Sequence, residues 1–103
     1  MRPWMVLALL AAAPLRGQVI YEAAEKSAAD EVVFVTDDRA QADLLVFLTE
    51  WRQDARPESG IWYRTRWRSD ADMAVWYTTL RGEATLVIAY TPYQAEAGWL
   101  KER

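Results

Sequence analysis

The sequence contains neither cysteine nor histidine in its 103 residues. Their absence excludes disulfide bonds, a thiolate nucleophile, a Ser-His-Asp triad and the usual zinc and haem ligand sets. Glycine is also scarce, and the four glycines form no phosphate-binding motif. We therefore expect a protein that is not an enzyme and that has no catalytic residues, no cofactor and no metal site.

A thirteen-residue repeat occupies most of the chain. In five units an aromatic residue is followed eight positions later by an alanine. The aromatics are Tyr21, Phe34, Phe47, Tyr63 and Trp76, and the alanines are Ala29, Ala42, Ala55, Ala71 and Ala84. A sixth unit runs from Ala89 to Ala97, and a threonine and an arginine also recur at fixed places. The spacing slips once, by three residues, at the Pro-Glu-Ser-Gly segment 57–60, which predicts a loop.

The first seventeen residues differ in composition from the rest. Arg2 precedes an apolar run from Trp4 to Ala13, and small residues follow up to Gly17. This order is typical of a secretory signal peptide, and the run is too short for a transmembrane helix. The alternative is a buried first helix. We expect residues 1–17 to be the signal peptide, residues 18–103 to be the mature domain, and the location to be periplasmic or secreted.

The mature chain is small and acidic. Without Arg2 and Arg16 it keeps ten basic and fifteen acidic residues, a net charge of about −5. Such a charge repels phosphate backbones, so we expect no nucleic-acid partner. The remaining length suits one domain, and we expect a monomer without a membrane span. Its stability must come largely from its aromatic residues.

Each unit reads as a short strand followed by a polar turn. The predicted strands are Val32–Thr36, Leu44–Thr49, Ile61–Thr65, Ala74–Thr78 and Leu86–Thr91. Both faces of these strands are apolar, which predicts that both are covered. The recurrent alanine ends the turn and is expected to pack closely against a neighbouring strand. Thirteen residues leave no room for a crossover helix, which favours hairpin-like or wrapped strands in an all-β single domain.

Acidic residues recur in almost every turn. A catalytic carboxylate pair remains open, as does a calcium site at Asp37-Asp38 or Asp70-Ala71-Asp72. However, nothing distinguishes two of these carboxylates from the others. We interpret them as turn caps and as ion-pair partners of the neighbouring arginines.

Three aromatic residues share one position of the repeat. Trp51, Trp67 and Tyr93 each directly precede the Arg or Gln of the turn, so they should lie along one surface. If that surface is open, it can bind a protein or a glycan. If Arg52 and Arg68 stack on the rings, it is a structural ladder.

The repeat units resemble those of a known family. The segments 33–43 and 62–72 and the ending 90–99, with its Ala97-Gly98-Trp99, are similar to the septoil-knot domain family of small bacterial proteins. The resemblance implies short β-strands and a chain threaded into a deep knot with seven crossings. It implies no biochemical activity and no functional residues. This sequence departs from the family pattern at Arg56, Thr85 and Ala89.

These observations define two candidate functions. The first is an exported, highly stable structural or protein-interaction module. The alternative is a ligand-binding module, for a glycan or a protein, that uses Trp51, Trp67 and Tyr93.

Overall fold

The computed structural model describes residues 19–56 and 59–101, so the predicted signal peptide lies outside the described residues. Seven short strands alternate with six three-residue 3₁₀ turns. The strands are β1 Val19–Glu22, β2 Glu31–Val35, β3 Leu44–Leu48, β4 Ile61–Thr65, β5 Met73–Tyr77, β6 Leu86–Tyr90 and β7 Gly98–Trp99. The turns are η1 Lys26–Ala28, η2 Arg39–Gln41, η3 Arg52–Asp54, η4 Arg68–Asp70, η5 Arg81–Glu83 and η6 Gln94–Glu96. The five predicted strands are confirmed to within about one residue at either end.

Six strands close into a parallel barrel. Their circular order is β1-β5-β2-β6-β3-β4, and pairing of β4 with both β1 and β3 closes the ring. The short strand β7 adds to the start of β3 in the antiparallel direction. A closed barrel leaves few unpaired strand edges, which suits a small protein without cross-links.

The two halves of the chain are interleaved. Strands β1, β2 and β3 occupy alternate places in the barrel, and β4, β5 and β6 fill the three gaps. Every described β-ladder therefore joins a strand before residue 57 to a strand after residue 60. The chain winds around the barrel nearly twice, first through β1–β3 and then through β4–β7. No two described strands of the same winding pair with each other.

Of the two arrangements expected, hairpin-like strands are wrong, because the barrel strands are parallel, and wrapped strands are observed. The reason is the stagger between neighbours. Val35, at the end of β2, lies opposite Ile88, and Leu44, at the start of β3, lies opposite the same residue. The connection from β2 to β3 therefore crosses over β6 at one level of the barrel and does not have to return along the barrel axis. Eight residues suffice where an ordinary parallel crossover needs a dozen or more.

The barrel interior holds the main core. Each barrel strand contributes at least one inward-facing residue that is at most 2% exposed; at the same level these are Ile20, Val33, Val46, Trp62, Val75 and Ile88. Leu44, Met73 and Leu86 extend this cluster, and Leu48 and Tyr77 pack against it. Because side chains alternate along a strand, the intervening residues face outward.

The outer face of the barrel is covered by the turns. Ala42 is fully buried against Leu45 and Ala89, which confirms both the two-sided burial and the close packing predicted for this alanine. The alanines of the other units, such as Ala71, are only half-buried, so the expectation holds fully for Ala42 alone. The turns themselves contain no buried residue and lie outside the strands that they cross.

Candidate binding surface

All six 3₁₀ turns begin at the same end of the barrel, because each follows the end of a parallel strand. We call this end the rim. The residues that directly precede the turns follow one another around it in the order Glu25, Leu80, Asp38, Tyr93, Trp51 and Trp67. The three predicted aromatics thus occupy three consecutive places, which we call the aromatic half of the rim. Glu25, Leu80 and Asp38 form the acidic half.

The aromatic side chains project into solvent. Tyr93 is 62% exposed, and Trp51 and Trp67 are each 61% exposed. The described cation–π contacts are made elsewhere: Arg52 lies 5.9 Å from the ring centre of Tyr63, and Lys26 lies 5.9 Å from that of Trp76. Within residues 19–56 and 59–101, a ladder of arginines stacked on the rim aromatics is therefore not formed.

The repeated threonine holds each of these positions in place. In five units its hydroxyl accepts a hydrogen bond from the backbone N–H two residues later. The pairs are Thr36–Asp38, Thr49–Trp51 and Thr65–Trp67, each at 3.1 Å, Thr78–Leu80 at 2.9 Å and Thr91–Tyr93 at 3.2 Å. The residue whose N–H donates this bond has an extended backbone. Its side chain therefore projects outward just before the chain enters the turn.

In five of the six described turns the first residue is a cation that contacts the next turn around the rim or, for Arg68, the segment just after it. Lys26 pairs with Glu83 at 2.5 Å, Arg81 donates to the Gln41 carbonyl at 3.3 Å, Arg39 pairs with Glu96 at 2.7 Å, Arg52 donates to the Asp70 carbonyl at 3.1 Å, and Arg68 lies 3.8 Å from Asp30. The sixth turn begins with uncharged Gln94, which interrupts the series of cations between Tyr93 and Trp51.

Two glutamates on this ring have perturbed acidity. The hydroxyl of Thr91 donates to Glu96 at 2.6 Å, and this bond, together with Arg39, lowers the pKa of Glu96. Lys26, with the Thr78 hydroxyl, likewise lowers the pKa of Glu83. Both carboxylates thus form ion pairs that join neighbouring turns.

The barrel mouth inside the rim is lined by the inward-facing residues two places beyond the core on each strand. They are Glu22, Val35, Leu48, Arg64, Tyr77 and Tyr90. The Tyr77 hydroxyl is buried and has no hydrogen-bond partner among the described residues. Burial raises the pKa of Tyr77, and the Tyr90 hydroxyl, close by but outside bonding geometry, raises it further.

In three units the repeated alanine is followed by an aspartate, and this aspartate stabilises the fold. Asp43 donates its backbone N–H to the Val87 carbonyl at 2.7 Å, and its carboxylate accepts the Val87 N–H at 3.0 Å. Asp30 with Ala74, Asp72 with Val19, and Thr85 with Val32 form the same reciprocal pair. Thr85 departs from the repeat, but its hydroxyl accepts the same kind of backbone hydrogen bond as the aspartates. Within residues 19–56 and 59–101, no three acidic side chains are grouped as a metal site would require.

Sequence reasoning found three rim positions and missed the rest of the surface. Leu80 occupies the same repeat position as Trp51 and is 63% exposed, so the repeat register alone identifies it. The mouth residues Arg64, Tyr77 and Tyr90 required the barrel order, because nothing in the sequence brings β4, β5 and β6 to one opening. No helix in the described part of the chain is long and apolar enough to cross a membrane.

The fold defines a class of small all-β repeat domains in which two windings of the chain share one parallel barrel. The model of the 7(1) septoil knot domain family matches residues 17–100. The chain belongs to this family, which confirms the resemblance seen in the sequence and the expectation of a knotted all-β domain. No curated protein and no solved structure matches the chain.

Proposed function

We propose that the protein is an exported, non-catalytic interaction module and that the aromatic half of the rim is its contact surface. One observation carries this proposal: three large aromatic side chains at consecutive places are each about three-fifths exposed. Tryptophan and tyrosine are enriched among the residues that dominate binding energy, because each combines a large apolar area with little side-chain entropy. A fold that needed these rings only for stability would bury them.

The scaffold supports this role. The backbone of each aromatic residue is held by a threonine hydrogen bond at the entry to a turn. A surface held in this way loses little conformational entropy on binding. Asp30 and Asp43 accept backbone hydrogen bonds, and Glu83 and Glu96 form ion pairs, which favours a structural over a catalytic role for these carboxylates.

Export is the second part of the proposal and is supported by the sequence of residues 1–17. The periplasm, or the cell exterior, is a setting in which a kinetically stable domain is useful, since unfolded protein there is exposed to proteases. Intact-mass measurement of the envelope and secreted fractions should show a chain that begins near Gln18. A full-length cytoplasmic product would contradict it.

The binding surface is tested by comparing two sides of the same rim. Binding to fractionated cell-envelope material should be lost in a Trp51→Ala, Trp67→Ala, Tyr93→Ala triple variant. The matched control is Leu80→Ala, which removes an equally exposed side chain from the equivalent position of the acidic half. Both variants should keep the wild-type melting temperature. Equal binding by wild type and triple variant would refute the proposed surface.

A further inference from the structure

The aromatic half of the rim carries arginines beside its rings. Arg66 and Arg68 flank Trp67 in the sequence, Arg52 follows Trp51, and all three are exposed. This local concentration contrasts with the acidic balance of the whole chain.

Two of these arginines, Arg52 and Arg66, lack, within the described part of the chain, the close carboxylate partner that Lys26 and Arg39 have. Lys26 and Arg39 have close contacts with Glu83 and Glu96. In contrast, Arg52 donates to a neutral backbone carbonyl, and Arg68 is 3.8 Å from its carboxylate. Arg66 has no carboxylate within salt-bridge distance among residues 19–56 and 59–101.

The adjoining mouth adds one further cation. Arg64 lies on β4, two residues before Arg66, and is exposed at the mouth. Exposed guanidinium groups without a close carboxylate favour an anionic ligand, because charge-assisted hydrogen bonds are the stronger ones. Glu50, Asp54, Asp70 and Glu96 lie in the same half and equal these arginines in number, so the attraction is local to the guanidinium groups that have no close carboxylate.

We propose that the aromatic half of the rim binds an anionic polysaccharide, with sugar rings stacked on Tyr93, Trp51 and Trp67 and sugar carboxylates bound by Arg52 and Arg66. The inference rests on the proposed function and names the partner class of that same surface. The rim supplies flat apolar platforms at successive equivalent positions, and the Arg52 guanidinium reaches from the turn after Trp51 to the turn after Trp67. A chain of rigid sugar rings can follow such platforms with little loss of entropy, whereas an acidic polypeptide must order each long side chain.

Polygalacturonate and its fully methyl-esterified form are suitable probes, because they share a backbone and differ in charge. Titration calorimetry with the mature chain should show binding of polygalacturonate that is about tenfold or more tighter than that of the ester. Binding should weaken with added salt, as expected for exposed ion pairs. Arg66→Gln should weaken it about threefold or more without change in melting temperature.

The matched pair Arg52→Gln and Arg81→Gln separates binding from structure. Both arginines donate to a backbone carbonyl of the next turn, at 3.1 and 3.3 Å, but only Arg52 lies in the aromatic half. Arg52→Gln should weaken polygalacturonate binding about threefold or more, and Arg81→Gln should leave it unchanged.

Three results would overturn the inference. Equal binding of the methyl ester would indicate a neutral glycan surface. Equally tight binding of polyglutamate, lost in the same variants, would indicate an acidic polypeptide partner. Absence of binding to either polysaccharide would reject the ligand class. Each leaves the proposed function intact, because that is refuted only when the aromatic triple variant retains envelope binding.

Discussion

Asp43 and Val87 form a reciprocal pair in which one side chain completes a strand contact: the Asp43 backbone N–H donates to the Val87 carbonyl at 2.7 Å, and the Asp43 carboxylate accepts the Val87 N–H at 3.0 Å. Asp43, the residue before β3, thereby bonds to both the backbone carbonyl and the backbone N–H of Val87 on β6. The same device recurs where three other strands begin, so the repeat encodes a connection between the two windings.

Loss of this carboxylate should destabilise the protein. Asp43→Ala leaves the part-buried Val87 N–H without its acceptor, which typically costs about 1–3 kcal/mol in the free energy of unfolding. Asp43→Thr should be milder, because Thr85 fills the equivalent place with a hydroxyl that accepts the Val32 N–H at 2.8 Å. Urea unfolding of both variants and of the exposed control Asp37→Ala tests this. An Asp43→Ala protein as stable as the control would contradict it.

Gly60 should tolerate no side chain, whereas Gly82 should. Gly60 has a φ of 82°, and a Cβ there would lie 2.5 Å from the Leu45 carbonyl oxygen and 2.8 Å from the Gly98 nitrogen. The strained backbone and the overlap together should cost about 2–4 kcal/mol in Gly60→Ala. Gly82 has nothing within 4 Å of such an atom, so Gly82→Ala should be neutral or slightly stabilising. Thermal melts distinguish the two; similar melting temperatures would refute the close approach.

Acid should weaken the link between η2 and η6. The Thr91 hydroxyl and then Arg39 lower the pKa of Glu96 below its ordinary value of 4.5. A carboxylate with a lowered folded-state pKa stabilises the fold at pH values above its unfolded pKa, and this contribution is lost as the pH falls through the folded pKa. The unfolding free energies of wild type and Glu96→Gln should therefore differ above pH 4.5 and converge below it. Curves that stay parallel down to pH 2 would contradict the assignment.

The strands and turns could be predicted from the sequence, but their partners could not. Val32 to Thr36 shows its strand character through β-branched and aromatic residues, and Asp38 and Trp51 reveal the turn register through the repeat. The parallel order depends on the stagger that places Val35 and Leu44 opposite the same residue of β6. Such stagger is a property of barrel closure, and no local pattern encodes it.

The aromatic surface could be predicted because of the repeat. Trp51, Trp67 and Tyr93 share one repeat position, and a repeat gives equivalent residues equivalent surroundings. That they are consecutive follows only from the neighbouring positions of β6, β3 and β4 in the barrel. Tyr77 and Arg64 lie on the inward face of their strands at the rim end of the barrel. No repeated pattern in the sequence identifies them as neighbours.

Neither half of the chain should fold alone. Every described ladder joins one of the first three strands to one of the last four, so a fragment ending near Arg56 keeps no native strand pair, and neither does one beginning near Ser59. Isolated short strands without partners are unstable in water. Circular dichroism of fragments 18–57 and 58–103 should show unfolded chains, and an equimolar mixture should regain the native spectrum and melting transition.

The same fragments test whether the knot limits folding. In the intact chain, an end must pass through the partly formed barrel, so refolding should be slow. A chain cut between residues 57 and 58 has no such step. Recombination should then be second order in concentration and, at high concentration, faster than intact-chain refolding. Proline isomerisation, at tens of seconds, is removed by a prolyl isomerase. Recombination slower than intact refolding at every concentration would show that threading is not the slow step.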